Sequence, residues 1–264
     1  MKPAPGPDQP PVPVRLVTFN THHGVGLDGR HDLPRLATVL ADADADLICL
    51  QEVDRRFGER SEEVDQALLL SRALDMQLAW GPAIDRPRGG DGSRQYGNAL
   101  LSRLPLLVSD VHALPGSGEP RSALRTLVEL DGGTLWVTTT HLTTGPAPHR
   151  AAQVRALLDL QTTPMGAGVL VGDLNTEPDA AELAPLRERF TDAWQLARER
   201  EDEVGWRFWH REHGETHPAR RPVRRLDHVW VTAGVTVAAA RVLEGAGASD
   251  HRPLVVDLEV PSGV

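Results

Sequence analysis

From Val14 onward, short apolar runs alternate with amphipathic stretches. Compact runs rich in Val, Leu, Ile and Thr, bounded by turn residues, predict buried strands. They fall at Val14–Phe19, Leu47–Leu50, Asn98–Leu101, Leu106–Val111, Leu124–Leu130, Thr134–Thr140, Val169–Val171, His228–Val231, Val235–Val242 and Leu254–Val260. Helical spacing predicts helices over Leu33–Leu40, Glu62–Leu74, Pro148–Leu160 and Asp179–Arg189, with Val154, Leu157, Leu158 and Leu160 forming one stripe. Turns are expected at Leu104-Pro105 and Asp131-Gly132-Gly133. Two polar stretches resist the pattern and read as long loops, Arg86–Gln95 and Arg198–Arg225. The proline-rich residues 1–13 read as a flexible leader, with one domain over residues 14–264. Strands interleaved with a few helices predict sheets covered by helices on their outer faces, an α/β architecture.

Composition narrows the class. The 264 residues are 40% apolar and 25% charged, as in globular proteins. The one cysteine, Cys49, excludes an intramolecular disulfide framework and a cysteine-rich metal centre, and its apolar strand makes it an inert core residue. No apolar stretch reaches the ~18 residues that would span a bilayer, and the N-terminus lacks the apolar segment of a signal peptide. The expectation is a soluble, cytoplasmic, monomeric protein. A net charge of −9 disfavours a phosphate-gripping nucleic-acid track and allows carboxylates to be gathered around a cation.

The candidate chemistry sits at strand ends. Val14–Phe19 runs into Asn20, Leu47–Leu50 into Gln51-Glu52, Thr134–Thr140 into His141, and Val169–Val171 into Gly172-Asp173-Leu174-Asn175. Asp227 precedes His228–Val231, and Ser249-Asp250-His251 precedes the last strand. Strand ends open on the rim of a sheet, so these groups converge on one polar pocket. Its oxygen-rich set favours a hard ion, Mg²⁺ or Mn²⁺, over zinc. Other templates are absent: HREH at His210–His213 lacks the spacing of a zincin helix, and there is no Walker A string, GxSxG elbow, GxGxxG fingerprint or HxHxDH pattern. His22 and His23 read as turn contacts, and Asp42, Asp44 and Asp46 as a solvated helix-to-strand turn.

The strings VTFNTHHG, LICLQEVD, YGNALLSR, WVTTTHL, VLVGDLNTEPD, RRLDHVWV and GASDHRPLVVDL, in that order, resemble the endonuclease/exonuclease/phosphatase superfamily over almost the whole chain. The resemblance implies a DNase I-like, four-layer αββα sandwich and a metal-dependent phosphohydrolase acting by direct attack of water. It implies Glu52 as the principal metal carboxylate, with Asn20 and Asp250 completing that site. Asp173 would orient or deprotonate the water, and Asn175 would bond that water or the phosphate. His251 would face the scissile phosphate with Asp227 fixing its tautomer, and His141 would donate to a phosphate oxygen. Tyr96 and Asn98 match a looser phosphate-side motif.

The substrate is less legible. The stretch Arg198–Arg225 interleaves Arg207, Arg211, Arg220, Arg221, Arg224 and Arg225 with Trp206, Phe208 and Trp209. Arg225 and Trp209 are the expected substrate contacts there, unless the aromatics form a satellite core under the loop. His217, in Thr216-His217-Pro218, stands where related sequences often carry an aromatic, so no subfamily's substrate is carried over. Three readings remain. The first is a phosphodiesterase or phosphatase acting on a small or lipid-linked phosphoester, the expected partner. The second is a DNA nuclease, including abasic-site cleavage, needing Arg86–Gln95 and Arg220–Arg225 to form one basic track. The third is a non-catalytic binding protein on the same fold.

Overall fold

The computed structural model describes residues 10–89, 92–160, 166–203 and 213–262. In chain order the elements are β1 (Val12–Asn20), α1 (Leu33–Asp42), β2 (Leu47–Arg55), α2 (Gln66–Leu74), β3 (Gln77–Arg88), β4 (Gly92–Ser102), β5 (Leu106–Leu114), β6 (Arg121–Leu130) and β7 (Gly133–His141). They continue with α3 (Ala147–Asp159), β8 (Gly168–Asp173), α4 (Ala184–Arg187), β9 (Thr191–Asp192), α5 (Ala193–Glu203), β10 (Asp227–Val231), β11 (Thr236–Val242) and β12 (Leu254–Val260). The strands form two six-stranded mixed sheets, ordered β11-β12-β1-β2-β4-β3 and β5-β6-β7-β8-β10-β9. Each sheet has one parallel pair at its centre, β1–β2 and β7–β8, flanked by antiparallel neighbours. Among the described residues no helix is long and apolar enough to cross a membrane.

Strand alternation sorts the core into three layers. Val14, Leu16, Leu47, Cys49, Val137, Val169, Val171, Val229, Leu254 and Val256 fill the seam between the sheets. The opposite faces of β1 and β2, through Val17, Phe19, Ile48 and Leu50, pack under Leu36, Val39 and Leu40 of α1 and Leu70 of α2. On the other side Leu170 and Trp230 meet Val154, Leu157 and Leu158 of α3 and Leu186 of α4. The result is the helix–sheet–sheet–helix sandwich.

Several boundaries differ from the sequence pattern, each for a local reason. β1 begins at Val12, not Val14, because Val12 and Pro13 pair with Val260 and Glu259. The expected helix from Glu62 starts only at Gln66: Glu62 and Glu63 hold positive φ, and Asp65 accepts the Leu68 N–H as the cap. The helix expected over Asp179–Arg189 shrinks to a 3₁₀ turn at Ala181–Leu183 and the single turn α4, with Pro185 at its start. Arg86–Gln95, expected as a loop, supplies the ends of β3 and β4, paired from Asp85↔Gln95 to Arg88↔Gly92. β3 escapes a pattern search because Pro82 and Pro87 interrupt it, which an edge strand tolerates. α5 occupies the front of the segment expected to be irregular, and Trp194 and Ala197 enter the seam.

Gly172, inside β8, has φ +143°, and a Cβ built on it would lie 1.8 Å from the Thr140 carbonyl oxygen of β7. Gly172→Ala must therefore push apart the parallel pair that carries His141 and Asp173. The expected cost is about 3 kcal/mol, read as a lower urea midpoint; an unchanged midpoint would mean that β8 yields freely.

Candidate active site

The site grows out of the seam by simple alternation. Asn20 follows Leu16 and Thr18 on the seam face of β1, His141 follows Val137 and Thr139 on β7, and Asp173 follows Val169 and Val171 on β8. Asp227 precedes Val229 on β10 in the same phase. Each strand's apolar seam face thus ends in one polar side chain at the same rim. Register sharpens this: Asp173 sits between His141 and Asp227 as direct cross-strand partners, and Asn20 pairs with Gln51. Asp227 is 0% exposed, Asp173 and Asn20 1% each.

Glu52 enters by a different device. The β2–β4 register slips between Leu50 and Val53, and Glu52 adopts φ +57°. A bulge of this kind re-aims a side chain at the cost of local strain. Thr21 holds it in place, its hydroxyl donating to the carbonyls of Gln51 (3.0 Å) and Glu52 (3.1 Å). The Asn20 amide nitrogen then donates both to Glu52 Oε1 (2.9 Å) and to Asp173 Oδ2 (3.0 Å), tying the two sheets together. Burial works against charge on Glu52, but the His23 ring, with Nδ1 3.9 Å from Oε2, and the Asn20 amide outweigh it and hold the acid below the ordinary carboxylate range.

His251 is fixed from behind. Asp227 Oδ2 accepts from its Nδ1 at 2.7 Å and from the Thr216 hydroxyl at 2.5 Å. The imidazole Nε2 is thereby presented 3.7 Å from Asp173 Oδ2. Burial alone would lower the His251 pKa, but the carboxylates of Asp227 and Asp173 push it up to about 10, so the ring is a cation at neutral pH. Asp227 is held below its usual value, burial being overcome by His251 and Thr216. Asp173 goes the other way: burial raises it, making it a better proton acceptor than a free carboxylate.

His141 lies 3.5 Å from Asp173 Oδ2, and the Asn175 side-chain nitrogen bonds its Nε2 (2.9 Å) and the Leu142 carbonyl (2.9 Å). Burial and the charge of Arg121 depress the His141 pKa to about 3, so it is neutral, with the Nε2 lone pair turned to Asn175. Asn175 itself has φ +53° and takes Asp173 Oδ1 on its backbone N–H at 2.9 Å.

Buried Asp173 and Asp227 thus flank one imidazolium, half-buried Glu52 is tied to them through Asn20, and Asp227 Oδ1 is buried without a partner. An oxygen-rich, net-anionic cluster of this kind fits a hard divalent cation. Glu52 and Asn20, the expected holders, stand together at this rim. Asp250 stands apart from them on a histidine-lined side: its ligand atom lies within 4.8 Å of those of His217 and His251, and 3.9 Å from His22 Nδ1. His22 otherwise makes the expected turn contact, to the Val25 carbonyl.

Tyr96 and Asn98 line one pocket with Glu52, Ala83, Gly97, Arg121, Ser122 and His141. Asn98 spends its amide on the Ser122 carbonyl (2.9 Å). Burial and the charge of Glu52 push the Tyr96 phenol up, keeping it protonated. Arg225 does not reach this pocket: it is 8% exposed, and its guanidinium bonds both carboxylate oxygens of Asp192 beneath the loop. An ion pair of that depth anchors the segment and leaves nothing for a substrate. Trp209, with Trp206 and Phe208, lies outside the described residues.

The sequence pattern assigns no role to Arg121, Ser122, Thr216 or Ser249. Ser249 donates to the Asn20 carbonyl at 2.7 Å and Thr216 to Asp227. Arg121 and Ser122 follow the same strand-rim rule that finds the other residues. They are missed because β6 begins at Arg121, three residues before the apolar run at Leu124.

A family model described as the Endonuclease/Exonuclease/phosphatase family matches residues 17–251. Uncharacterized protein YbhP of Escherichia coli K12 is 28% identical over 265 residues, covering 93% of this chain and 96% of its own. The crystal structure of an endonuclease/exonuclease/phosphatase from Beutenbergia cavernae superposes with a TM-score of 0.72 at 26% identity, over 94% of this chain and 72% of that one. A mannosyl-6-phosphatase of Bacteroides thetaiotaomicron has the same fold, with a TM-score of 0.72 at 16% identity, covering 93% and 99% of the two chains.

Proposed function

Because the chain belongs to the endonuclease/exonuclease/phosphatase family, we propose that it is a divalent-metal-dependent phosphohydrolase that cleaves a small or lipid-linked phosphoester by direct attack of water. The observation that carries this reading is the placement of Asp173. Its carboxylate is hydrogen-bonded by Asn20, flanked by His141 and the His251 imidazolium, and raised by burial toward accepting a proton. Asp173 takes the proton of the attacking water as the new P–O bond forms and the ester P–O bond breaks. His251 offers its Nε2–H to a phosphoryl oxygen, with Asp227 and Thr216 preventing the ring from turning. Asn175 and His141 complete the wall on the second sheet. Glu52 and Asn20 would hold Mg²⁺ or Mn²⁺, which when bound supplies Lewis-acid charge for the phosphoryl oxygens.

Two features favour a small substrate over a duplex. Four of the seven arginines in the two stretches that a duplex track would need are engaged elsewhere: Arg88 with Glu63, Arg220 with the Leu27 carbonyl, Arg224 with Glu177, and Arg225 with Asp192. The total charge is −9. Against a purely binding role stands the grouping of Glu52, Asp173 and His251 with their supporting partners intact.

The test is an activity panel with Mg²⁺ or Mn²⁺ and an EDTA control. It would run p-nitrophenyl phosphate, bis-p-nitrophenyl phosphate, an inositol phosphate, sphingomyelin, abasic duplex and plasmid DNA in parallel. Hydrolysis of small or lipid phosphoesters is expected, with at least about 10²-fold loss on chelation and recovery on metal return. Cleavage confined to DNA would make the protein a nuclease, and activity indifferent to EDTA would remove the metal from the reading.

A further inference from the structure

Arg121 carries a charge into a place where nothing in the fold requires one. It opens β6, is 7% exposed, and lines the pocket that holds Glu52, Tyr96, Asn98, Ser122 and His141. Its Nε is buried without a hydrogen-bond partner. Its ion-pair partner is Glu119, two residues earlier, whose side chain is 49% exposed. The pair is therefore lopsided: the cation is built into the wall, while the anion stands half in water on the approach to the strand. A buried guanidinium with an unfilled donor and a displaceable counter-ion is arranged to exchange that carboxylate for another anion. The phenol of Tyr96, the other neighbour of the guanidinium, is kept neutral and so brings no second negative charge to it.

Resting on the phosphohydrolase reading above, we infer that Arg121 selects phosphomonoesters, its guanidinium replacing Glu119 with the terminal oxygens of a monoester dianion. The chemistry of the two ester classes supplies the selectivity. A monoester presents three non-bridging oxygens sharing about two charges at neutral pH, as phosphorylated side chains do. A diester presents two oxygens and one charge, and its second substituent takes the place of the third oxygen. An arginine fork, fixed in charge and geometry, gains most from the dianion. His141, on the same pocket wall, is neutral and cannot make that distinction by charge. The reaction is the ordinary one: water adds its oxygen to phosphorus, the ester P–O bond breaks, and alcohol and inorganic phosphate leave.

The experiment compares wild type, Arg121→Gln, Arg121→Lys and Glu119→Gln on p-nitrophenyl phosphate and bis-p-nitrophenyl phosphate with Mn²⁺. It also measures inorganic phosphate binding by the shift in melting temperature, with and without the metal. Wild type should favour the monoester in kcat/KM. Arg121→Gln should lose about 10²-fold on the monoester and less than about 5-fold on the diester, with Arg121→Lys between them. Glu119→Gln, freeing the guanidinium, should lower KM for the monoester. The phosphate-induced melting shift should vanish in Arg121→Gln and persist in Arg121→Lys. A wild-type preference for the diester, or equal losses on both esters in Arg121→Gln, would overturn the assignment. If wild type hydrolyses neither these esters nor any member of the wider panel, the hydrolase reading is what fails, and the phosphate shift still decides Arg121: retained in Arg121→Gln, it rules the residue out as an anion site.

Discussion

Asp173→Asn is expected to lower kcat by about three orders of magnitude or more while leaving the folded protein at least as stable as wild type. Two arguments meet here. The substitution keeps shape and removes the proton acceptor, so a water placed against phosphorus loses the group that takes its proton. The carboxylate is also a burden to the fold: it is 1% exposed, and burial raises its pKa, so its charge is worse off in the folded state than in water. Asparagine lifts that burden. It gives back part of the gain, because its amide N–H groups meet the Asn20 nitrogen that now donates to Asp173 Oδ2. The measurement pairs steady-state kinetics at saturating metal with a melting curve. Turnover that survived the substitution would remove Asp173 from the chemistry. A collapse of the fold would instead make it a structural residue.

Glu52→Gln is expected to act through the metal. At low Mg²⁺ its activity should fall by about 10²-fold or more, and excess Mn²⁺ should restore much of it. Glu52 is held ionised by His23 and Asn20, and its backbone is bent to φ +57° in a bulge fixed by Thr21. Glutamine keeps the bulge and an oxygen for Asn20, and loses only the charge. The half-saturating metal concentration should therefore rise by at least about tenfold with a near-normal kcat at its plateau. An unchanged metal dependence would place the ion elsewhere, the cluster of His217, Asp250 and His251 being the obvious alternative.

These side chains are legible in the sequence for different reasons. Asn20, His141, Asp173 and Asp227 are readable as strand-end polar groups, since each continues the alternation of an apolar seam face. Glu52 is readable only as a neighbour of a strand end. The bulge that turns it inward is set by contacts to Thr21, more than 30 residues away along the chain. Arg121 was hidden because a pattern search starts a strand at its first apolar residue. Arg225 misled for the converse reason: a charged residue beside Asp227 looks available until the fold brings Asp192 beneath it. In the scaffold, strands that carry an apolar run were legible, exposed β5 among them, and the polar hairpin ends of β3 and β4 were not. The hairpin ends of β3 and β4 carry no apolar alternation, because neither of their faces is covered.

The central parallel pairs of the two sheets have a consequence of their own. β1–β2 and β7–β8 occupy equivalent places in sheets of like topology, so the sandwich is close to two copies of one plan placed back to back. Labour is divided between the halves: one contributes Asn20 and Glu52, the other His141 and Asp173, and neither holds a complete set. The chemistry is thus a property of their alignment. A substitution deep in the seam that slides one half by a fraction of an ångström changes the rate without touching a single site residue. Conversely, a change confined to the rim of one half leaves the other half's pair, Asn20 and Glu52 or His141 and Asp173, where it stands.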